Sequence, residues 1–298
     1  MNTYRFIDTQ KADHKITDLC AVLGVPASSY FDWHRHGRAR AAARAGTRRA
    51  LVARIEAVHA ASDGTYGSDR VHAELARQGV TVARRTVAET MADHGIVGVS
   101  GRERSTTTTR RDRLAAPFPD LVGRRFQPAT PDTLWYGDVT YIWVTDRFWY
   151  LATVIDAATK EVLGWACEDH MRTSLVSDAL HRAVRRRGGR VPAGLIFHSD
   201  RGSQYTSTEY GTVCAMYKIR QSMGRRGVCY DNAAAESFFA TIKRELIKRY
   251  RLNTPESLHR ALFHWIEIWY NRRRLHSSIG YRPPVEAYTD HITQQAAA

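Results

Sequence analysis

Cysteine is scarce in this chain. Four residues in 298, Cys20, Cys167, Cys214 and Cys229, stand far apart with no CxxC pair. That spacing argues against a disulfide framework and against a cysteine-based zinc site, and it suits a reducing compartment. No run of 18 apolar residues occurs, so no membrane span is expected. The opening MNTYRFIDTQKADHK has no apolar core and predicts no secretory signal. These absences together predict a cytoplasmic protein. Acid is also in short supply, with 30 Asp and Glu against 44 Lys and Arg, a formal net charge of +14 and a pI near 9.9. The basic excess is spread over both halves of the chain. It favours a polyanionic partner, although a solvated basic surface is the plainer alternative.

What is present fits a globular chain. Hydrophobic residues make up 43% and aromatics 10%, enough for a sizeable core in two or three domains. Composition changes near residue 100. Residues 1–100 are rich in Ala and Arg and read as short helices. Residues 101–129 begin GRERSTTTTRRDRL, basic and without apolar period, and read as a linker. Strands and helices alternate over 130–250, and a helical extension and tail follow over 251–298.

The first region holds two helix-turn-helix candidates. In ITDLCAVLGVPASSYFDWHR, apolar Ile16, Leu19, Val22 and Leu23 are expected on one helical face, with Gly24 at the turn and Pro26 opening the next helix. In YGSDRVHAELARQGVTVARRTVAETMADHGIVG, Val71 and Leu75 share a face, Gly79 breaks, and Val87 and Met91 form the next face before Gly95. Arg84 and Arg85 fall near the start of that second helix, where a recognition helix meets DNA. A simple helical hairpin would give the same pattern. Between the candidates, the basic stretch from Arg35 to Ala60 reads as one helix.

The second region reads as three strands, a helix, a strand, a helix, a strand and a long helix. This predicts an α/β core, a mixed five-stranded sheet with helices on both faces. Three carboxylates stand out by placement. Asp138 sits inside the first strand, in WYGDVTYI. Asp200 ends the fourth strand, in HSDRGSQYTS. Glu236 lies near the start of the last helix, in DNAAAESFF. A lone Asp is usually a surface or turn residue, and Asp156 at a hairpin turn is such a case. Acids inside strands are disfavoured, and buried ones are costly unless paired or metal-bound. If the first and fourth strands are neighbours, the three converge. Hard oxygen donors select Mg²⁺ or Mn²⁺, and two such ions suit phosphoryl displacement. His198, two residues from Asp200, reads equally as a ligand-orienting or a packing histidine.

Exactly 35 residues separate Asp200 from Glu236. With the three motifs just quoted, the chain resembles the D,D-35-E retroviral-integrase superfamily. More closely, it is similar to the downstream-frame transposases of bacterial two-reading-frame insertion sequences. The tail YNRRRLHSSIGYRPPVEAY and the opening YRFIDTQKADHKITDLCAVLGVPASSYFDW share in that likeness. The resemblance implies an RNase H-like core and two Mg²⁺ ions, with Mn²⁺ able to substitute. It implies 3′-end cleavage and strand transfer at terminal inverted repeats, with Asp138, Asp200 and Glu236 as catalytic metal ligands. Lys243 is implied as a donor-DNA contact, seven residues past Glu236 on the same helical face, with Lys248 expected on another. Arg201, Gln204, Tyr205 and Asn232, polar neighbours of the acids, complete the expected DNA contacts. Double-stranded DNA, a homo-oligomer on it, and an upstream-frame product or fusion are the implied partners, in the bacterial nucleoid. Two alternatives remain: a DNA-binding regulator with an inactive RNase H-like body, and a nuclease of the same fold.

Overall fold

The computed structural model describes residues 3–99, 119–122, 128–223 and 233–297. It divides into two compact units, Met1–Gly98 and Val99–Ala298. The expected linker over 101–129 lies mostly outside the described residues. Among those residues no helix is long and apolar enough to cross a membrane.

The first unit is helical: α1 (Thr3–Gln10), α2 (Ile16–Val22), α3 (Ala27–Asp32), α4 (Arg38–Ala61), α5 (Ser68–Arg77) and α6 (Arg84–Asp93), with a π-helical turn, Trp33–Gly37, between α3 and α4. Both expected helix-turn-helix pairs are present as α2–α3 and α5–α6. Their turns end alike. Gly24 and Gly79 take φ of +65° and +77°, and the next amide reaches back to Cys20 and Leu75 carbonyls at 3.0 and 2.9 Å. Glycine adopts that left-handed conformation without strain. Val71, Leu75, Val87 and Met91 are buried as expected. The stripe on α2 differs. Cys20 is buried with Ile7 and Tyr30, and Ile16 and Leu19 pack on them, whereas Val22 is 84% exposed. At 100° per residue, position 22 points away from the 16–19–20 stripe, so the expected inclusion of Val22 was wrong.

The second unit is built on a five-stranded sheet in the order β3-β2-β1-β4-β5. Its strands are β1 (Leu134–Val144), β2 (Arg147–Asp156), β3 (Val162–Glu168), β4 (Ile196–Ser199) and β5 (Arg220–Met223). The first three form an antiparallel meander, and β4 and β5 run parallel to β1. Helix α7 (Thr173–Arg186) crosses over between β3 and β4, and α8 (Ser203–Thr206) and α9 (Thr208–Met216) lead from β4 to β5. Then follow α10 (Ala233–Ile242), a π-helical turn Lys243–Ile247, α11 (Pro255–Phe263), a π-helical segment His264–Tyr270 and α12 (Pro284–Ala297).

Each face of the sheet has its own core. On one, Trp135, Ala152, Val154 and Leu163 meet Leu175, Ala179, Leu180 and Ala183 of α7, with Phe197, Tyr205 and Tyr210. On the other, Ile142, Val144, Leu151 and Ile155 meet Phe238, Phe239, Ile242 and Leu246, together with Leu258, Leu262 and Trp265. Residues before and after 250 therefore share one core. The second face of the sheet must be covered, and both helical segments cover it. Asn271 ties the extension to the edge strand, accepting from the Val162 N–H at 2.9 Å and donating to the Val162 carbonyl at 3.0 Å. Asp156 closes the β2–β3 hairpin by accepting from the amides of Asp132, Ala158 and Thr159 and from the Thr159 hydroxyl. Its turn role is the one expected from sequence. Cys20, Cys167 and Cys214 are buried free thiols; Cys229 lies outside the described residues.

Gly164 on β3 lies directly beneath α7, and a Cβ there would run into the Ala179 carbonyl and the Ala183 backbone. Gly164→Ala should lower stability by about 1–3 kcal/mol, because backbone on backbone leaves nothing flexible to move. Chemical denaturation of the purified chain measures it; an unchanged midpoint would mean the helix rests further from the sheet.

Candidate active site

The parallel pairing of β1 with β4 sets the site. Its register runs from Leu134 opposite Ile196 to Gly137 opposite Ser199. Asp138 and Asp200 are the next residues on each strand. Neighbouring strands lie about 4.8 Å apart, so the two acids occupy adjacent positions in one row. Alternation puts both on one face, shared by Ile142 and Val144 on β1 and by His198 on β4. That is the face covered by α10, which carries Glu236 in its first turn.

Local chemistry explains why an acid is tolerated in mid-strand. β1 keeps β2 on one side, with Asp138 opposite Thr153, but its pairing with β4 ends one residue earlier. Asp138 is therefore only half-buried, and its carboxylate accepts the Val139 N–H at 2.8 Å. Gly137 must precede it, because a Cβ there would run into the Phe197 ring on the opposite face. Asp200 leaves the sheet into the turn before α8, where its Oδ1 accepts the Gly202 N–H at 3.0 Å. Burial raises its carboxyl above the ordinary aspartate value, and the Gly202 amide only partly opposes this.

His198 is a packing residue. It is fully buried, with Nδ1 2.9 Å from the Ser222 hydroxyl and its ring edge-on to Tyr136. Tyr205 was expected to contact DNA. It is instead 2% exposed, packed edge-on against Tyr210 and beside Phe197. An aromatic between two core rings has no surface left for a duplex. Burial, and then the neighbouring Asp138 and Asp200 carboxylates, hold its hydroxyl well above the usual tyrosine range, so Tyr205 lies close to both acids. Gln204 donates to the Met171 carbonyl at 3.0 Å, and Arg201 is half-buried. Asn232 lies outside the described residues.

Lys243 opens the π-helical turn, with Nζ 5.1 Å from the centroid of the Tyr141 ring on β1. The turn revises the expectation for Lys248. Its amide bonds the Lys243 carbonyl at 2.9 Å, an i→i+5 step, so Lys248 follows above Lys243 rather than on another face. Glu245 in the same turn forms a buried bidentate pair with Arg274, at 2.7 and 2.9 Å. Nothing in the tail sequence marked Arg274 as its partner. In the first unit, Arg84 and Arg85 stand exposed at the start of α6, paired with Asp69 at 2.5 Å and with Glu89 at 2.7 Å.

The donors suit a hard divalent cation in part. Asp138 and Asp200 offer carboxylate oxygens in one row, and a bound cation would offset the desolvation that raises the half-buried Asp200. Glu236 is exposed on α10. Among the described residues no three His, Cys, Asp or Glu side chains are gathered as a metal-binding group.

Two integrase core domain profiles match the chain, over residues 128–229 and 217–284, and an HTH-like domain profile matches 47–104. The transposase for insertion sequence element IS629 of Shigella sonnei is 35% identical over 283 residues, 94% of each chain. Transposase InsF for insertion sequence IS3A of Escherichia coli (strain K12) is 34% identical over 281 residues, covering 94% of this chain and 96% of that protein. The insertion element IS600 31 kDa protein of Shigella sonnei is 35% identical over 279 residues, 94% of this chain and all of that protein. The chain belongs to the insertion-sequence transposases. Its sheet is the integrase core, preceded by an HTH-like region, and the enzyme class is DDE polynucleotidyl transferase. The reading as a regulator with an inactive body accordingly gives way.

The raised Asp200 carboxyl has a consequence for stability. The folded chain holds this proton more tightly than the unfolded one. Its contribution favours the fold at low pH and is lost as pH rises from the ordinary 3.8 through the raised value. In chelator, Asp200→Asn should therefore raise the thermal midpoint at neutral pH, by an amount that shrinks toward pH 4. Melting both proteins across that range measures it; a variant less stable at neutral pH would mean Asp200 is held by partners that favour its charge.

Proposed function

We propose that Asp138, Asp200 and Glu236 together hold two divalent ions, Mg²⁺ or Mn²⁺, and that this site cuts the 3′ ends of an insertion sequence at its terminal inverted repeats and joins them to target DNA. The observation that carries the reading is the placement of Asp138 and Asp200 in one row on the face that α10 covers. When bound, the ions would supply Lewis-acid stabilisation of the attacking and leaving oxygens of an in-line phosphoryl displacement. The chain's own residues do the rest. The three carboxylates would hold the ions. The core rings Phe197 and Tyr205 exclude water from beneath the acids. No side-chain nucleophile is required, so the attacking group is water in cleavage and a 3′-hydroxyl in joining.

DNA is held outside this centre. Arg84 and Arg85 suit phosphates or base edges, because their present partners, Asp69 and Glu89, are exposed and such pairs are weak. Lys243 suits a phosphate near the reacting end, with Arg201 and Gln204 beside Asp200 as further contacts. Joining two ends calls for more than one copy on the DNA, and an upstream-frame product or fusion would add binding surface.

Asp138→Asn, Asp200→Asn and Glu236→Gln should each abolish cleavage and strand transfer on labelled element ends in Mg²⁺, while mobility shifts show end binding retained. Residual cleavage by any one removes that residue from the site. Lys243→Ala should reduce strand transfer well beyond Lys218→Ala, a lysine on the turn before β5. It should also lower the salt slope of binding by roughly one unit. Equal small effects would leave Lys243 as surface charge.

A further inference from the structure

The β1–β2 hairpin ends in three exposed aromatic rings. Tyr141 is 41% exposed, Trp143 58% and Phe148 43%. They are one cluster: Phe148 meets Tyr141 edge-on at 5.2 Å and Trp143 edge-on at 4.8 Å. Trp143 and Phe148 are direct cross-strand partners. The residues that pack against the α7 core on this face of the sheet stop at Val139 and Tyr150, so among the described residues the α7 core does not reach these three rings. Exposing three large rings together is costly in water, and such patches mark interaction sites.

What the patch takes is set by its surroundings. Lys243 places its ammonium over Tyr141. Beyond Gly137, β1 is no longer paired with β4, so Lys243, on a helix of the opposite face, meets Tyr141 where that edge is open. A cation at the rim of an aromatic cluster, in a chain of net charge +14, matches a nucleic acid better than an apolar protein surface. Duplex DNA hides its base faces in the stack. A single strand offers both parts, phosphates for the cation and base faces for the rings. Tyr141 and Trp143 lie three and five residues past Asp138, about 10 and 17 Å along an extended strand. One DNA strand rises about 3.4 Å per nucleotide, which corresponds to roughly three to five nucleotides.

We propose that Tyr141, Trp143 and Phe148 form a stacking platform for unpaired nucleotides about three to five positions from the reacting phosphate. The proposal rests on the DNA-end reading of the acidic site. It gives the hairpin the task of holding a frayed or cut strand clear of the centre. Stacking on exposed rings is tolerant of base identity, so the platform grips any sequence.

The test uses the full chain in chelator, with binding followed by fluorescence anisotropy. Three probes are compared: a blunt duplex, the same duplex with an oligothymidine tail of about five nucleotides, and the duplex with an abasic tail of equal length. The wild type should prefer the thymidine tail to the abasic one by about tenfold or more, the scale of one stacked base. Trp143→Ala and Phe148→Ala should lose that preference while binding the blunt duplex as before, and Trp143→Phe should keep most of it. Equal affinity for the two tails, with blunt binding intact, overturns the platform alone. Absence of binding to every probe overturns the DNA-end reading and the platform with it. Light scattering of the same samples covers the remaining occupant. If the alanine variants dissociate an oligomer and keep the tail preference, the patch is a contact between copies and the proposal fails.

Discussion

The pairing of β1 with β4 is the contact on which the site depends. It is short, ending at Gly137 opposite Ser199, and everything near the acids follows from where it stops. One residue further, both strands carry an aspartate. Phe197 on the opposite face fills the space that a side chain at 137 would occupy, which holds the two strands close enough to set Asp138 beside Asp200. Two carboxylates in one row repel each other, and burial adds to the cost by raising Asp200. Two carboxylates so placed are a pair that a divalent cation would relieve.

Much of this was legible in the sequence because it was written in period and punctuation. The strand meander, the crossover helix, the apolar β4 and the glycine-ended helices all follow from alternation, run length and left-handed turns, which are local. The two aspartates stood out because each broke a local rule. The misses have a common cause. Tyr205 was grouped with Arg201 and Gln204 as a polar neighbour of the acids, yet the turn after β4 directs it back beside Phe197 and Tyr210. Val22 was misplaced by counting an apolar residue without its angle. None of the three π-helical stretches leaves a local signature, since an i→i+5 bond depends on what the helix packs against rather than on its own residues. The exposed rings Tyr141, Trp143 and Phe148 carry no sequence signal, because exposure on a sheet face depends on where the covering helix ends.

The C-terminal extension shows how a tail remote in sequence reaches the site. Arg274 lies 29 residues beyond Glu245 and forms with it a buried bidentate ion pair. Such a pair contributes little net stability over apolar residues, but losing one partner strands a buried charge, at about 3–5 kcal/mol. Its value here is positional. The pair sits within the turn that begins at Lys243, and Tyr270, which carries the His276 ring at 4.7 Å, packs against Phe238 on α10. Asn271 fastens the same segment to the edge strand β3. The helix bearing Glu236 and Lys243 is thus clamped from behind by residues 265–276, and the sheet's far edge is clamped by the same segment. The position of α10 against the sheet is thus set as much by the tail as by the strands. That is a physical reason for the core of this transposase to extend past residue 250, and for its tail to be rich in arginine where a solvated extension would need only solubility.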